Sequence, residues 1–293
     1  MTPPQGRLGI ERMCALAGVS RASYYRHWRR VAPGREQIEL RDVLQRLAIG
    51  HRHYGYRRLT ALLRRDGWAV NPKRVLRLMR TDNLLCLRRR AFVPATTESR
   101  HAWQVVPNLA RGMQVTGLDQ LWVADITYLR LLDEFAFLAV ILDAFSRRVV
   151  GWALEVHLRA ALAVAALQMA LAARRPQPGQ LIHHSDRGAQ YACGEYSALL
   201  AAHGIQPSMS RVGSPYDNAK AESFMSTLKR EEVDGREYRS AQEARGSIGH
   251  FIEDVYNRQR LHSALNYLTP ADFEATLLPV IATRWREHAV SST

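Results

Sequence analysis

Apolar positions follow two different periods along the chain, and the change falls near residue 119. Up to residue 81 they recur every three to four residues, the repeat of one helix face. Residues 9–30, GIERMCALAGVSRASYYRHWRR, predict helix, tight turn, helix. Met13, Leu16 and Ala17 share a face of the first helix, Gly18 permits the turn, and Ser20 can cap the second. That second helix carries Arg21, Arg26, Arg29 and Arg30 beside Tyr24, Tyr25 and Trp28. A further helix is predicted over 36–49 through Ile38, Val43, Leu44 and Leu47, and another from Gly55 to Asp66 through Leu59, Leu62 and Leu63, ended by Gly67. Asn71 and Pro72 open the next as cap and first helical residue. Its apolar face is Val75, Leu76, Leu78 and Met79, while Lys73, Arg74, Arg77 and Arg80 project outward. The pattern is that of two helix-turn-helix-like units in series, and it also fits plain helical hairpins.

Residues 88–118 have no period of 2 or 3.6 and are expected to be a basic linker, with Arg88, Arg89 and Arg90 at its start. Beyond it, LWVADITYLRLL (121–132) and EFAFLAVILDAFS (134–146) predict two strands around an Asp133-Glu134 turn, and RRVVGWALEV (147–156) a third. Three consecutive strands imply an antiparallel meander. A helix over 158–174, a strand over 179–186, a helix over 194–203, a strand over 205–210 and helices over 217–232 and 240–264 complete the reading. The expected fold class is α+β: all-α N-terminal units, then a mixed five-stranded sheet flanked by helices. The expected domains are 1–34, 35–87, the linker 88–118, and a core over 119–293.

Charge adds a partner to this picture. The net charge is +14, and residues 1–111 hold 23 Arg and Lys against 7 Asp and Glu, while 112–293 hold 18 against 20. A basic excess confined to the N-terminal third favours polyanion binding, since each neutralised phosphate releases counterions. Solubility charge is the bland alternative. The three cysteines, Cys14, Cys86 and Cys193, are too few and too far apart for a disulfide framework or a zinc pair. No apolar run is long enough to span a bilayer and the first residues lack a secretory pattern, so a cytoplasmic, nucleoid-associated protein without membrane contact is expected.

Three carboxylates stand out. Asp125 interrupts the apolar run of the first strand, where a charge is costly unless paired or bound to metal; an exposed position on an amphipathic strand is the alternative. Asp186 follows a strand end in HHSDRGAQY, with Gly188 expected to let the backbone turn away. Of His183 and His184 at most one can face it, because neighbours on a strand point to opposite faces. Glu222 lies on a helix after GSPYDN, capped by Asp217 or Asn218, and Lys229 is two turns further on the same face. The 35-residue gap between Asp186 and Glu222 decides nothing alone, since roughly 0.6 such acid pairs arise by chance in this composition.

The surrounding words are more specific. WVADITYL, LDAFSRRVVGW, HSDRGAQY, SPYDNAKAESF with Lys229, and YNRQRLHSALNYLTPADF resemble, in order, the integrase-type catalytic core of insertion-element transposases. CALAGVSRASYYRHW and HYGYRRLTALLRRDGWAVNPKRVLRLM resemble the opening of the second-reading-frame product of the insertion sequence three family. The resemblance spans about residues 12–274. It implies a ribonuclease-H-like core with Asp125, Asp186 and Glu222 as a metal-binding acidic triad, and Lys229 as a contact to the DNA end. It implies two Mg²⁺ ions, with Mn²⁺ as a substitute, and nicking of element ends followed by 3′-hydroxyl strand transfer. Double-stranded DNA is the implied partner, bound by a homo-oligomer, with an upstream-frame product or a fusion to it completing the machinery. Residues 1–10 show no heptad zipper, so this chain is expected to be the downstream portion. The paired His and Cys zinc module of retroviral integrases is absent from the sequence. Two alternatives are a non-enzymatic regulator derived from a transposase, which predicts a broken triad, and a ribonuclease-H-type nuclease, which needs no basic helical units.

Overall fold

Before residue 87 the regular structure is helical, and after it a sheet dominates. The computed structural model describes residues 9–28, 35–86, 106–210 and 218–277. The chain divides into two units, 1–86 and 87–293.

The first unit contains α1 (Ile10–Leu16), α2 (Arg21–Trp28), α3 (Arg35–Gly50), α4 (Tyr56–Arg65) and α5 (Pro72–Thr81). Gly18 turns the chain between α1 and α2 at φ +62°, and Ser20 Oγ accepts the Ser23 N–H at 3.1 Å. The predicted face of α1 is displaced: Cys14 is its buried residue, while Leu16 is 74% exposed. In α3, Leu40 and Leu44 are buried and Ile38 is exposed. Two residues separate Ile38 from Leu40, about 200° around the helix, so both cannot face inward. Asn71 Oδ1 accepts the Lys73 N–H at 2.8 Å, and Pro72 occupies the first helical position. Leu59 and Leu63 of α4 and Val75, Leu78 and Met79 of α5 are buried, each contributing roughly 1.5–3 kcal/mol.

The second unit is built on β1 (Leu121–Arg130), β2 (Phe135–Asp143), β3 (Val149–Glu155), β4 (Ile182–Ser185) and β5 (Gln206–Met209). Their order is β3-β2-β1-β4-β5. The meander β1–β2–β3 is antiparallel and β4 and β5 join it in parallel, the mixed sheet predicted. Alternation along β1 separates two cores. Leu121, Val123 and Leu129 face α9 (Ala219–Leu228), α10 (Ala241–His250) and the segment after it, including Phe251 and Tyr256. Trp122 and Ala124 face α6 (Ala160–Arg174), with Tyr191 of α7 (Ala189–Ala192) and Tyr196 and Leu200 of α8 (Gly194–Ala202). Helix α6 crosses β3 at contact distance: a Cβ built on Gly151 would lie 2.2 Å from the Ala166 carbonyl oxygen. Helix α9 continues into a π-helical turn, Lys229–Val233, and α10 into a longer one, Phe251–Gln259.

The predicted linker needs correction. Of residues 88–118, those from 106 onward pack on the sheet unit: Val106 against the α6 side, Ala110, Met113 and Val115 against the α9 side. The Leu109 N–H donates to Ser208 Oγ at 2.8 Å. An irregular backbone buries side chains without any period, so periodicity could not reveal it. Among the described residues no helix is long and apolar enough to cross a membrane.

Candidate active site

Asp125 shares the α9-facing side of β1 with Val123 and lies opposite Val140 of β2. On its other flank β4 runs parallel, with Val123 beside His184. The paired ladder ends at Val123 and His184, and Asp186, one residue past β4, is near enough for its charge to act on Asp125.

Each carboxylate is tied to local backbone. Asp125 Oδ1 accepts the Ile126 N–H at 2.9 Å, and Asp186 Oδ1 accepts the Gly188 N–H at 3.0 Å. Gly188 has φ −62° and ψ 140°, which any residue adopts, so the expected sharp turn is not why glycine stands there. A Cβ at 188 would lie 3.0 Å from both Asp186 Oδ1 and Gln190 Oε1. Glycine provides space for the carboxylate.

Glu222 approaches from α9, whose Ala221, Phe224, Met225 and Leu228 pack on the same sheet face. Asn218 precedes α9 but does not cap it. Its buried side chain instead donates from Nδ2 to the Ala124 carbonyl at 2.9 Å. The expectation of a capping role at 218 is corrected; Asp217 lies outside the described residues. Lys229 follows α9 with helical backbone angles, and its Nζ lies 5.2 Å from the centre of the Tyr128 ring.

Charge reveals how closely the groups interact. Burial pushes Asp125 up to about 7, Asp186 and then Glu222 push in the same direction, and Lys229 opposes them. Glu222 is exposed, and partial desolvation raises it above the usual carboxylate range. The charge of Asp186 therefore acts on Asp125 more strongly than that of Glu222. Among the described residues no three His, Cys, Asp or Glu side chains stand close enough to hold a metal ion. The three acids share one sheet face without closing into a ligand cage.

The histidines separate as strand alternation requires. His184 is on the carboxylate side and its Nδ1 lies 2.8 Å from Ser208 Oγ. His183 is on the α6 side, where the Tyr196 hydroxyl lies 3.0 Å from its Nε2. Burial holds His183 neutral, lowering it to about 3, and drives Tyr196 well up, so the contact is between two neutral groups. Sequence reasoning missed Asn218 and Tyr128. The SPYDN and DITYL words contain both, but neither reveals its partner.

In the helical unit Lys73, Arg77 and Arg80 are exposed along one stripe of α5, opposite Val75, Leu78 and Met79. Arg74 is half-buried and reaches Glu36 at 3.8 Å. Arg21 lies 3.6 Å from Glu11. The side chain of Arg26, and the whole of Arg29, Arg30, Arg88, Arg89 and Arg90, lie outside the described residues.

A sheet with paired acids on one face and a separate basic helical unit is the architecture of a DNA-processing enzyme with its own DNA-binding region. Comparison with known proteins agrees. The integrase core domain family matches residues 116–215, a second integrase core domain family matches 203–270, and an HTH-like domain matches 35–92. The transposase InsF for insertion sequence IS3A of Escherichia coli (strain K12) is 37% identical, with 92% of this chain and 95% of that protein covered. An insertion element IS600 uncharacterized 31 kDa protein of Shigella sonnei is 39% identical, with 89% and 97% covered. This chain belongs to the IS3 family of insertion-element transposases and is a DNA transposase with an integrase core. Among solved structures, a simian T-cell lymphotropic virus intasome is similar at 15% identity and a TM-score of 0.41, over 73% of this chain and 69% of that one. The catalytic core domain of BIV integrase is similar at 16% identity and a TM-score of 0.41, over 57% and 99%.

Proposed function

We propose that Asp125, Asp186 and Glu222 are the metal-binding acids of the transposase and that they serve nicking of element ends and 3′-hydroxyl strand transfer. The observation that supports this reading is that Asp186 directly follows β4, the parallel neighbour of β1, and its charge acts on Asp125. Two adjacent carboxylates repel, and a hard divalent cation between them offsets that repulsion. Carboxylate oxygens with no thiolate among them suit Mg²⁺, with Mn²⁺ as a substitute. The donor chemistry therefore fits such an ion, with Glu222 completing the set from α9. When bound, two such ions would supply Lewis acidity for phosphodiester cleavage, lowering the pKa of the attacking oxygen and stabilising the leaving one.

The chain's own residues do the rest. Asp125, held to the Ile126 N–H on a central strand, is the fixed point, and it would hold the metal together with Asp186 and Glu222. Lys229, steadied over the Tyr128 ring, offers its ammonium to a phosphate of the DNA end. The stripe of Lys73, Arg77 and Arg80 binds backbone phosphates, assisted by Arg21, Arg26, Arg29, Arg30, Arg74, Arg88, Arg89 and Arg90. The domain division of 1–34, 35–87 and a core from 119, with residues 106–118 now assigned to the core unit, follows from this separation of labour. Two DNA ends require two active sites, so the working form is a homo-oligomer on DNA, with an upstream-frame product or a fusion to it as a further partner.

The test is direct. Purified protein with labelled element ends and Mg²⁺ should nick, and Glu222→Gln should abolish nicking while leaving DNA binding intact. Nicking at the wild-type rate in that variant removes the assignment.

A further inference from the structure

We infer that Asn218 is a positioning residue that fixes α9, and with it Glu222, against the strand bearing Asp125, and thereby sets the affinity of the site for a divalent cation. This rests on the carboxylate reading above and adds the device that makes it work.

The argument begins at the end of a strand ladder. Backbone carbonyls along a strand alternate between its two neighbours. On the β4 side of β1, Gln120 accepts the Ile182 N–H at 3.0 Å, so Trp122 and then Ala124 also direct their carbonyls that way. The pairing of β1 with β4 stops at Val123 and His184, and β4 itself ends at Ser185. Ala124 is fully buried and lies beyond the last paired residue. A buried carbonyl without a donor is costly. Asn218 supplies the donor at 2.9 Å, doing with a side chain what the next residue of a longer β4 would do with its backbone.

Chemistry explains the residue type. The partner is a carbonyl, an acceptor only, so the atom facing it must carry hydrogen. Aspartate, close in shape, has no such hydrogen when ionised. The side chain is 7% exposed, and its Oδ1 is buried without a hydrogen-bond partner among the described residues. The hydrogen bond to Ala124 is therefore the polar anchor of this position.

Geometry connects the anchor to the metal site. Ala124 is covalently next to Asp125, and Glu222 lies four residues after Asn218, in the first turn of α9. The hydrogen bond thus ties the chain one residue from one acid to the chain one turn from another. Glu222 is exposed on α9, so its position relative to Asp125 depends on how α9 is held. Apolar packing through Ala221, Phe224 and Leu228 fixes the height of α9 above the sheet but resists sliding weakly, because apolar contacts are not directional. A directional bond at the start of the helix sets the remaining coordinate.

The experiment uses the full chain without DNA and MgCl₂ or MnCl₂ alone as the probe. Thermal unfolding across a metal titration gives the metal midpoint, the concentration equal to Kd at which stabilisation sets in, since binding to the folded state stabilises it by RT ln(1 + [M]/Kd). Asn218→Ala should raise that concentration about 10- to 100-fold, the usual effect of removing a group that orients a metal ligand. Strand transfer of a pre-nicked end at saturating metal should stay within about tenfold of wild type, because no ligand has been removed. A merely structural role would lower the unfolding midpoint and leave the metal midpoint unmoved. Where Asn218→Ala gives no cooperative transition, Asn218→Ser, which keeps a shorter donor, is measured instead and should shift the metal midpoint less. A metal midpoint within twofold of wild type in whichever variant folds overturns the inference. Glu222→Gln in the same titration separates it from the reading beneath: wild-type metal stabilisation in that variant means that the acids are misassigned. Loss of stabilisation there, with an unmoved midpoint at 218, means that only the role of Asn218 is wrong.

Discussion

In residues 1–86, 18 Arg and Lys stand against 6 Asp and Glu, a net of +12, whereas residues 87–293 hold 23 against 21, a net of +2. The two regions also keep their charges in opposite ways. In the helical unit Lys73, Arg77 and Arg80 stand in solvent on α5, where hydration makes a like-charged stripe inexpensive and a phosphate backbone can meet it from many angles. In the sheet unit one carboxylate acts on another of the same sign, on a face where Asp125 is half-buried. The first arrangement needs only a helix with an apolar back. The second rests on a central strand, a parallel neighbour and a glycine that gives Asp186 space, with Asn218 bonded to the Ala124 carbonyl beside it. Surface charge is tolerant of position, and concentrated charge requires scaffolding.

The largest effect is expected where that concentration is relieved. Asp125→Asn should lower strand-transfer activity by about 10³-fold or more, since metal-assisted charge stabilisation contributes several kcal/mol and each 1.36 kcal/mol is tenfold. The same change removes one member of a repelling, half-buried pair, so the metal-free protein should unfold a few degrees higher. A variant that is both inactive and less stable would show that Asp125 is held by favourable contacts, and would break the contrast.

Packing gives the next effect. On β3, Gly151→Ala would drive a methyl into the Ala166 carbonyl at 2.2 Å and into the Ala170 backbone nitrogen at 2.8 Å. Overpacking of this kind costs about 1–3 kcal/mol, and backbone is the least able to yield. Gly50 ends α3 with nothing within 4 Å of its would-be Cβ, so Gly50→Ala should be neutral or stabilise by up to about 1 kcal/mol. Chemical denaturation of both variants measures this. Equal effects would mean that the helical unit is packed as tightly as the core.

A pH effect follows from His183. Its folded-state value, lowered to about 3 by burial, lies below the ordinary 6.5. Between these values the unfolded chain binds a proton that the folded chain refuses, so stability is full above about pH 6.5 and falls as pH drops toward 3. The slope from this residue is about 1.4 kcal/mol per pH unit. Unfolding curves at pH 7, 6, 5 and 4 should show it, and His183→Gln should flatten it by one proton. An unchanged slope in the variant assigns acid sensitivity elsewhere, His51 being a half-buried candidate in the helical unit, shifted downward by burial.

What could be read beforehand divides along the same line. Sequence patterning predicted all five strands, the helices α1 to α6 and helices over the regions of α8, α9 and α10, because most of them bury one face and burial is written in every second or every third to fourth residue. It found Asp125, since a carboxylate in an apolar run is conspicuous, and it found Asn71 and Pro72, since capping is local. It failed where the partner is remote. Nothing in SPYDN says that Asn218 reaches Ala124, 94 positions away, and the packing of Val106, Ala110 and Met113 follows an irregular path that no period describes.

The smallest expected effect tests the other half of the contrast. Arg77 is exposed in the α5 stripe, so Arg77→Ala should leave the fold unchanged and lower DNA affinity only several-fold at physiological salt. Its signature is the salt dependence. Losing one phosphate contact should reduce the slope of log affinity against log salt by about 0.9, equally for element-end and unrelated duplexes, since a backbone contact carries no sequence information. Binding isotherms at four salt concentrations on both duplexes decide between roles. A loss confined to the element end would make Arg77 a reader of bases, and the helical unit would then be as demanding of position as the acids on the sheet.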